Sequence, residues 1–167
     1  YNVNQDNGLN GIIRKITKIY GENAVGAESS SIQSLDREAK NAVDLDSSKM
    51  FTTLDALNSW LEYDFKGMKV KPTDYTIKTN IGGTGNWHLT CWVIEGSNDK
   101  NNWTELDSEN DVTILDRANA TETFQIKNKE KNDFYRYLRL RITGKDTHGT
   151  HIIHIQALEY YGYVSPM

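Results

Sequence analysis

Leu89-Thr90-Cys91-Trp92-Val93-Ile94-Glu95-Gly96-Ser97-Asn98-Asp99-Lys100-Asn101-Asn102-Trp103 decides the fold class. Residues 89–95 are rich in β-forming side chains, residues 97–102 are dense in turn formers, and Trp103 opens a second extended run. That order reads as a β-hairpin. Working outward, the same pattern repeats. Downstream, Phe124 and Ile126 mark a strand, Leu138, Leu140 and Ile142 alternate with Arg139 and Arg141, and Ile153, Ile155 and Ala157 share a face before Gly162. Upstream, Leu61, Tyr63 and Phe65 fall on one face of Trp60-Leu61-Glu62-Tyr63-Asp64-Phe65, and Tyr75-Thr76-Ile77-Lys78 alternates after Pro72. A two-residue period places those apolar side chains on one side of a pleated strand. Only residues 11–20 carry a helical period: Ile12, Ile13, Ile16 and Ile19 lie on one stripe, with Arg14, Lys15 and Lys18 between them and Gly21 as the stop. Residues 36–43 read as a helical turn. Short strands without alternating helices predict an all-β sandwich or jelly roll with a short N-terminal helix. No fixed-period repeat is present, which argues against a solenoid or a propeller.

The chain has 167 residues, 37 % of them hydrophobic and 25 % charged, with a net charge of −4. That length suits a single domain with an adequate core. We divide it into a polar tail or linker at 1–10, a domain at 11–163 and a closing tail at 164–167. No apolar run approaches the roughly 20 residues of a membrane-spanning helix. The acidic balance argues against nucleic acid and anionic membrane as partners, because both select basic surface. Cys91 is the only cysteine, so neither an internal disulfide nor a cysteine-built zinc site is available. Together with the lack of a leader segment in this sequence, it leads us to expect an intracellular setting.

Six segments in chain order resemble the motifs of the coagulation factor 5/8 type C, or discoidin, domain. Ser29-Ser30-Ser31 stands at its early Ser pair, and Asp44-Leu45-Asp46 through Phe51 resembles D-G-D…T-x-W. Ser59-Trp60-Leu61-Glu62-Tyr63-Asp64-Phe65 resembles W-I-x-I-D-L, and Glu95-Gly96-Ser97-Asn98-Asp99 through Trp103 resembles S-x-D-G-x-x-W. Arg136-Tyr137-Leu138-Arg139-Leu140 resembles R-Y-I-R-L, and Ala157-Leu158-Glu159-Tyr160-Tyr161-Gly162 resembles A-E-F-x-G. A closer likeness is to the subgroup found in protist proteins and beside BTB-type adaptor domains. It rests on Gly11-Ile12-Ile13, Pro72-Thr73-Asp74-Tyr75-Thr76-Ile77, His88-Leu89-Thr90-Cys91-Trp92-Val93-Ile94-Glu95-Gly96-Ser97 and Arg139-Leu140-Arg141-Ile142-Thr143-Gly144-Lys145.

This resemblance implies an eight-stranded, galactose-binding-like jelly roll. Such domains bind sugars, lipid head groups or proteins through loops at one end of the barrel, without catalysis or cofactor. Many also hold a structural calcium ion near the D-G-D…T segment, with a Glu close to the final strand. Asp44, Asp46 and Glu159 match those positions, but Lys49 stands where the family has Thr. An ammonium cannot ligate calcium, which takes oxygen ligands. No metal is therefore expected, and Lys49 either neutralises Glu159 or Asp44 in the ion's place or points to solvent.

Motifs for catalysis are missing: G-x-S-x-G, P-loop and H-E-x-x-H patterns do not occur. Glu62 and Asp64 form an acid pair on one strand face, which is commonplace on exposed strands. His148, His151 and His154 recur at every third residue, but an extended strand points such positions to opposite sides. They read as loop and strand-surface histidines rather than metal ligands. Trp60, Trp92 and Trp103 read as core. Trp87 differs, because it follows the glycine-rich run Ile81-Gly82-Gly83-Thr84-Gly85-Asn86. It either stacks on a ligand or folds back as a lid. By resemblance, three loops share the binding end. They carry Asn86, Trp87 and His88; Lys145, Asp146, His148 and His151; and Leu54 and Leu57. An aromatic, amides, a cation and an acid suit a sugar site, and a protein-binding rim has a similar inventory. The expectation is a binding module of a larger protein, acting on a protein partner; the alternative is carbohydrate, and the third reading is membrane-surface attachment.

Overall fold

Side-chain alternation sorts the strands into inward and outward faces, and the inward faces make the core. The computed structural model describes residues 9–45 and 48–166. In chain order it contains α1 (Ile12–Tyr20), β1 (Gly26–Ser29), α2 (Lys40–Val43), β2 (Phe51–Thr52), β3 (Trp60–Asp64), β4 (Met68–Lys78), β5 (Trp92–Ser97), β6 (Thr104–Glu109), β7 (Thr121–Gln125), β8 (Tyr137–Ile142), β9 (His154–Ile155) and β10 (Ala157–Pro166). A five-stranded antiparallel sheet runs β1-β3-β8-β5-β6, and a three-stranded one runs β10-β4-β7. The eight strands of these two sheets form the expected sandwich, and β2 and β9 pair separately across it.

Leu61, Tyr63, Trp92, Ile94, Leu138 and Leu140 from the larger sheet meet Tyr75, Ile77, Leu158 and Tyr160 from the smaller one, all fully buried. Tyr63 meets Tyr160 edge-on at 5.8 Å, and Trp92 meets Phe124 edge-on at 5.2 Å. Aromatic pairs prefer this geometry. One chain of polar atoms crosses the core. Trp92 Nε1 donates to the Tyr75 hydroxyl (2.8 Å), which donates to Asp107 Oδ2 (2.6 Å). Lys127 closes the chain on Asp107 Oδ1 at 2.9 Å. Burial, reinforced by Asp107, drives the Tyr75 hydroxyl far above its ordinary range.

The structure departs from the sequence reading in four places. β4 begins at Met68, before Pro72, because Pro72 stands opposite Gly162 where β10 shifts register, so its missing N–H breaks no regular ladder. β10 continues through Val164 and Ser165, which pair with Val70 and Lys69, where the sequence suggests a tail. Ile19 is exposed while Ile12, Ile13 and Ile16 are buried. Finally, Trp60 and Trp103 lie outside the core. They are half-buried on the outer face of the larger sheet, where the Arg139 guanidinium sits 3.8 Å from the Trp103 ring centre and 5.9 Å from that of Trp60.

Candidate functional site

Strand register gathers the long loops at one end. Trp60 opposes Arg141, Trp92 opposes Ile142 and Glu109, and Lys78 opposes Thr121 and Ala157. The segments 53–59, 79–91, 110–120 and 143–153 therefore leave or enter strands at that end. All the loop residues singled out in the sequence lie there. They differ in availability.

His88 and Asp146 are buried and hold the loops in shape. His88 Nε2 meets Asn80 Oδ1 at 2.8 Å and Nδ1 meets Asp116 Oδ1 at 3.0 Å. The Asn80 amide is oriented by its own donation to Gly85 O at 2.6 Å. Asp146 Oδ1 accepts the N–H of His148 and of Thr150, both at 2.9 Å, and its Oδ2 accepts the Thr150 hydroxyl at 2.6 Å. This is a carboxylate organising its own turn. Thr147 then joins two loops, donating through Oγ1 to Asn86 O (2.8 Å) and through N to His88 O (3.0 Å). Asp55 receives the His151 N–H at 2.7 Å, tying the 53–59 loop to the same assembly.

Asn86, Lys145 and His148 remain exposed, and His151 is half-buried. Trp87 is folded inward. Its ring lies 5.4 Å from that of His148 and 5.6 Å from that of His154, the latter edge-on. Gly85, at φ +121°, lets the ring settle on the backbone, because a Cβ there would run into it. His148 and His154 both lie against Trp87, His154 Nδ1 also meets Thr52 Oγ1 at 2.7 Å, and His151 faces Asp55. Among the described residues no group of three His, Cys, Asp or Glu stands close enough to hold a metal ion.

Leu54 is 53 % exposed and Leu57 is 72 % exposed. Two further aliphatics stand out at this end that sequence reading missed, Leu35 at 90 % and Ile114 at 49 % exposure. Leu35 is a lone aliphatic in a polar stretch, and Ile114 adjoins Leu115, which is buried, so no periodicity marks either as exposed. Arg37 was also missed. Its charge reaches His154, and burial together with Arg37 holds that imidazole down to about 4.

At the position resembling the family calcium site, Glu159 is held by backbone N–H groups. Glu159 is fully buried on β10 and accepts four backbone N–H groups: Ile13 (2.8 Å) and Tyr160 (2.8 Å) at Oε1, Gly11 (3.0 Å) and Arg14 (3.1 Å) at Oε2. Three of these belong to the start of α1, so the unpaired end of a helix serves the carboxylate. Lys49 is not among its partners. Lys49 and Asp44 instead line a cleft of about 330 Å³ with Arg14 and Lys40. Asp46 lies outside the described residues.

No family model matches the chain. Over 114 residues it is 31 % identical to the E3 ubiquitin-protein ligase Ufd4 of Drosophila melanogaster, a match covering 67 % of this chain and 4 % of the ligase. Among solved structures it is similar to CpGH89CBM32-5 from Clostridium perfringens, solved with GalNAc-β-1,3-galactose, at 15 % identity and TM-score 0.66, covering 84 % of this chain and 97 % of that one. The family 32 carbohydrate-binding module of C. perfringens NanJ, solved with galactose, gives 17 % and 0.64, covering 86 % and 96 %. The fucolectin of Morone saxatilis serum gives 17 % and 0.64, covering 84 % of this chain and 47 % of that chain. The chain thus has the galactose-binding-like jelly-roll fold that discoidin-type domains share.

Proposed function

We propose that the chain is a non-catalytic recognition module of a larger protein, and that its loop end grips a protein partner. The observation that carries this is the inventory of that end. Leu35, Leu54, Leu57 and Ile114 are exposed there, while the aromatic that would serve as a stacking platform, Trp87, is folded inward. Exposed aliphatics bordered by polar side chains suit a protein interface, whose apolar centre is ringed by hydrogen-bonding groups. Asn86, Lys145, His148 and His151 supply that rim. The net charge of −4 disfavours an anionic membrane as the surface these aliphatics meet. The intracellular setting expected from the lone cysteine goes with this reading.

Carbohydrate is the second reading. The bound sugars in similar folds favour it, as does Trp87, whose Nε1 lacks a partner. One pair of variants separates the two. L54D/L57D should abolish capture of a specific protein from lysate without lowering Tm, because both side chains are exposed. Binding to a glycan array that vanishes on Trp87→Ala, with no protein captured, would replace the protein reading with the carbohydrate one.

A further inference from the structure

A cavity of about 550 Å³ is lined by Trp103, Thr104, Glu105, Asn128, Lys131 and Tyr135. Thr104 opens β6, whose other end meets the loops, and Tyr135 comes just before β8, whose other end does the same. The cavity therefore stands at the end of the sandwich away from Trp87. Its volume lies within the roughly 300–1,000 Å³ of small-molecule sites. Its walls are braced from within. Trp103 Nε1 donates to Lys100 O at 3.1 Å, and the Arg139 guanidinium sits 3.8 Å from the ring centre. Asn128 donates through N to Leu106 O (3.0 Å) and through Nδ2 to Glu105 O (2.9 Å), which fixes its amide against the edge of β6. Tyr135 is buried with its ring against Gly96, and its hydroxyl donates to Lys131 O at 2.8 Å.

The charges in this cavity select the ligand. The other two carboxylates of β6, Asp107 and Glu109, are both taken by Lys127. Glu105 and Lys131 line one cavity, both exposed, and form no ion pair among the described residues. An anion here would meet the Glu105 carboxylate, and a cation would meet the Lys131 ammonium. A ligand that carries both charges answers both groups. With Asn128 Nδ2 committed to Glu105 O, Oδ1 is left as a second acceptor for an ammonium. Trp103 supplies aromatic surface for an apolar side chain.

We propose that this cavity binds a zwitterionic α-amino acid, a function separate from the grip of the loop end on a protein partner. Glu105 and Asn128 Oδ1 take the α-ammonium, Lys131 takes the α-carboxylate, and the side chain of the ligand lies against Trp103.

The test follows the Trp103 indole N–H signal of the ¹⁵N-labelled chain, assigned through Trp103→Phe. The chain is titrated with L-leucine and L-phenylalanine, with leucinamide, which lacks the carboxylate, with N-acetyl-leucine, which lacks the ammonium, and with methyl β-galactoside. The signal should move saturably with the amino acids, and each single-charge analogue should bind at least about fivefold more weakly than leucine, the loss of one exposed ion pair. Lys131→Gln should bring leucine down to the level of leucinamide, and Glu105→Gln should bring it down to that of N-acetyl-leucine. Both side chains are exposed, so neither change should alter Tm. Equal binding of leucine and its two analogues, or no response to either amino acid, overturns the proposal. Saturable binding of methyl β-galactoside with none of the amino acids also overturns it and gives the cavity to a sugar.

Discussion

A buried carboxylate with a helix end for its counter-charge carries a pH signature. Burial pushes Glu159 up to about 7, although the N–H groups of Ile13, Arg14, Tyr160 and Gly11 pull the other way. In the unfolded chain the group titrates at its ordinary value of 4.5. Between those values the folded protein holds a proton that the unfolded chain has released. The contribution of Glu159 to stability is therefore full below 4.5 and declines as pH rises through 7. His154 acts in the opposite direction. Its folded value of about 4 lies below the ordinary 6.5, so its contribution is whole above 6.5 and is lost as pH falls through 4. In the wild type the two slopes oppose each other between 4.5 and 6.5. Glu159→Gln removes one of them. Urea midpoints of this variant should rise as pH goes from about 5 to about 6.5, more steeply than those of the wild type. Parallel curves for the two proteins would show that Glu159 does not titrate in this window.

At the scale of elements, the larger sheet covers its outer face with an ion network in place of a second layer. Glu95 on β5 takes Arg141 at 2.7 Å and Arg139 at 3.3 Å, and Glu62 on β3 takes Lys100 at 3.0 Å. Asp64 takes Arg136 at 2.9 Å. Both glutamates are buried even though they point away from the core. This accounts for the reading of Trp60 and Trp103 as core: they are covered by Arg139, an outer-face side chain that cross-strand pairing supplies and sequence alternation cannot reveal. The arginine stripe itself was legible, because a two-residue period puts Arg139 and Arg141 on one face opposite the glutamates of neighbouring strands. Arg139→Met keeps the stem that covers the tryptophans and removes the charge. It should cost about 2 kcal/mol, less than the 3–5 typical of breaking a lone buried pair, because Arg141 still serves Glu95. A shifted urea midpoint at constant m-value is the expected readout. No shift would mean that the network contributes only by covering the sheet.

The whole molecule divides into a sandwich whose layout is local and a loop end whose layout is not. The hairpin of β5 and β6, the alternation in β3 and β8, and the isoleucine stripe of α1 are all set by side chains a few positions apart, so the sequence displays them. The site is assembled from contacts across long separations, such as Thr52 with His154 and His88 with Asp116. Sequence could name Trp87 and its loops, but not the inward fold of its ring against His148 and His154. The same division predicts two cooperative units. Asp146 joins residues 148, 150 and 152 to one carboxylate, and Thr147 carries that order to residues 86 and 88. Removing the carboxylate strands several N–H groups in a loop that water can reach, so the opening stays local. In Asp146→Ala, amide hydrogen exchange should speed up across about 86–90 and 147–152 while β3, β5 and β8 keep their protection, with a global loss of about 1–2 kcal/mol. If the sheet amides lose protection in step with the loops, the loop end is part of the sandwich's own cooperative unit.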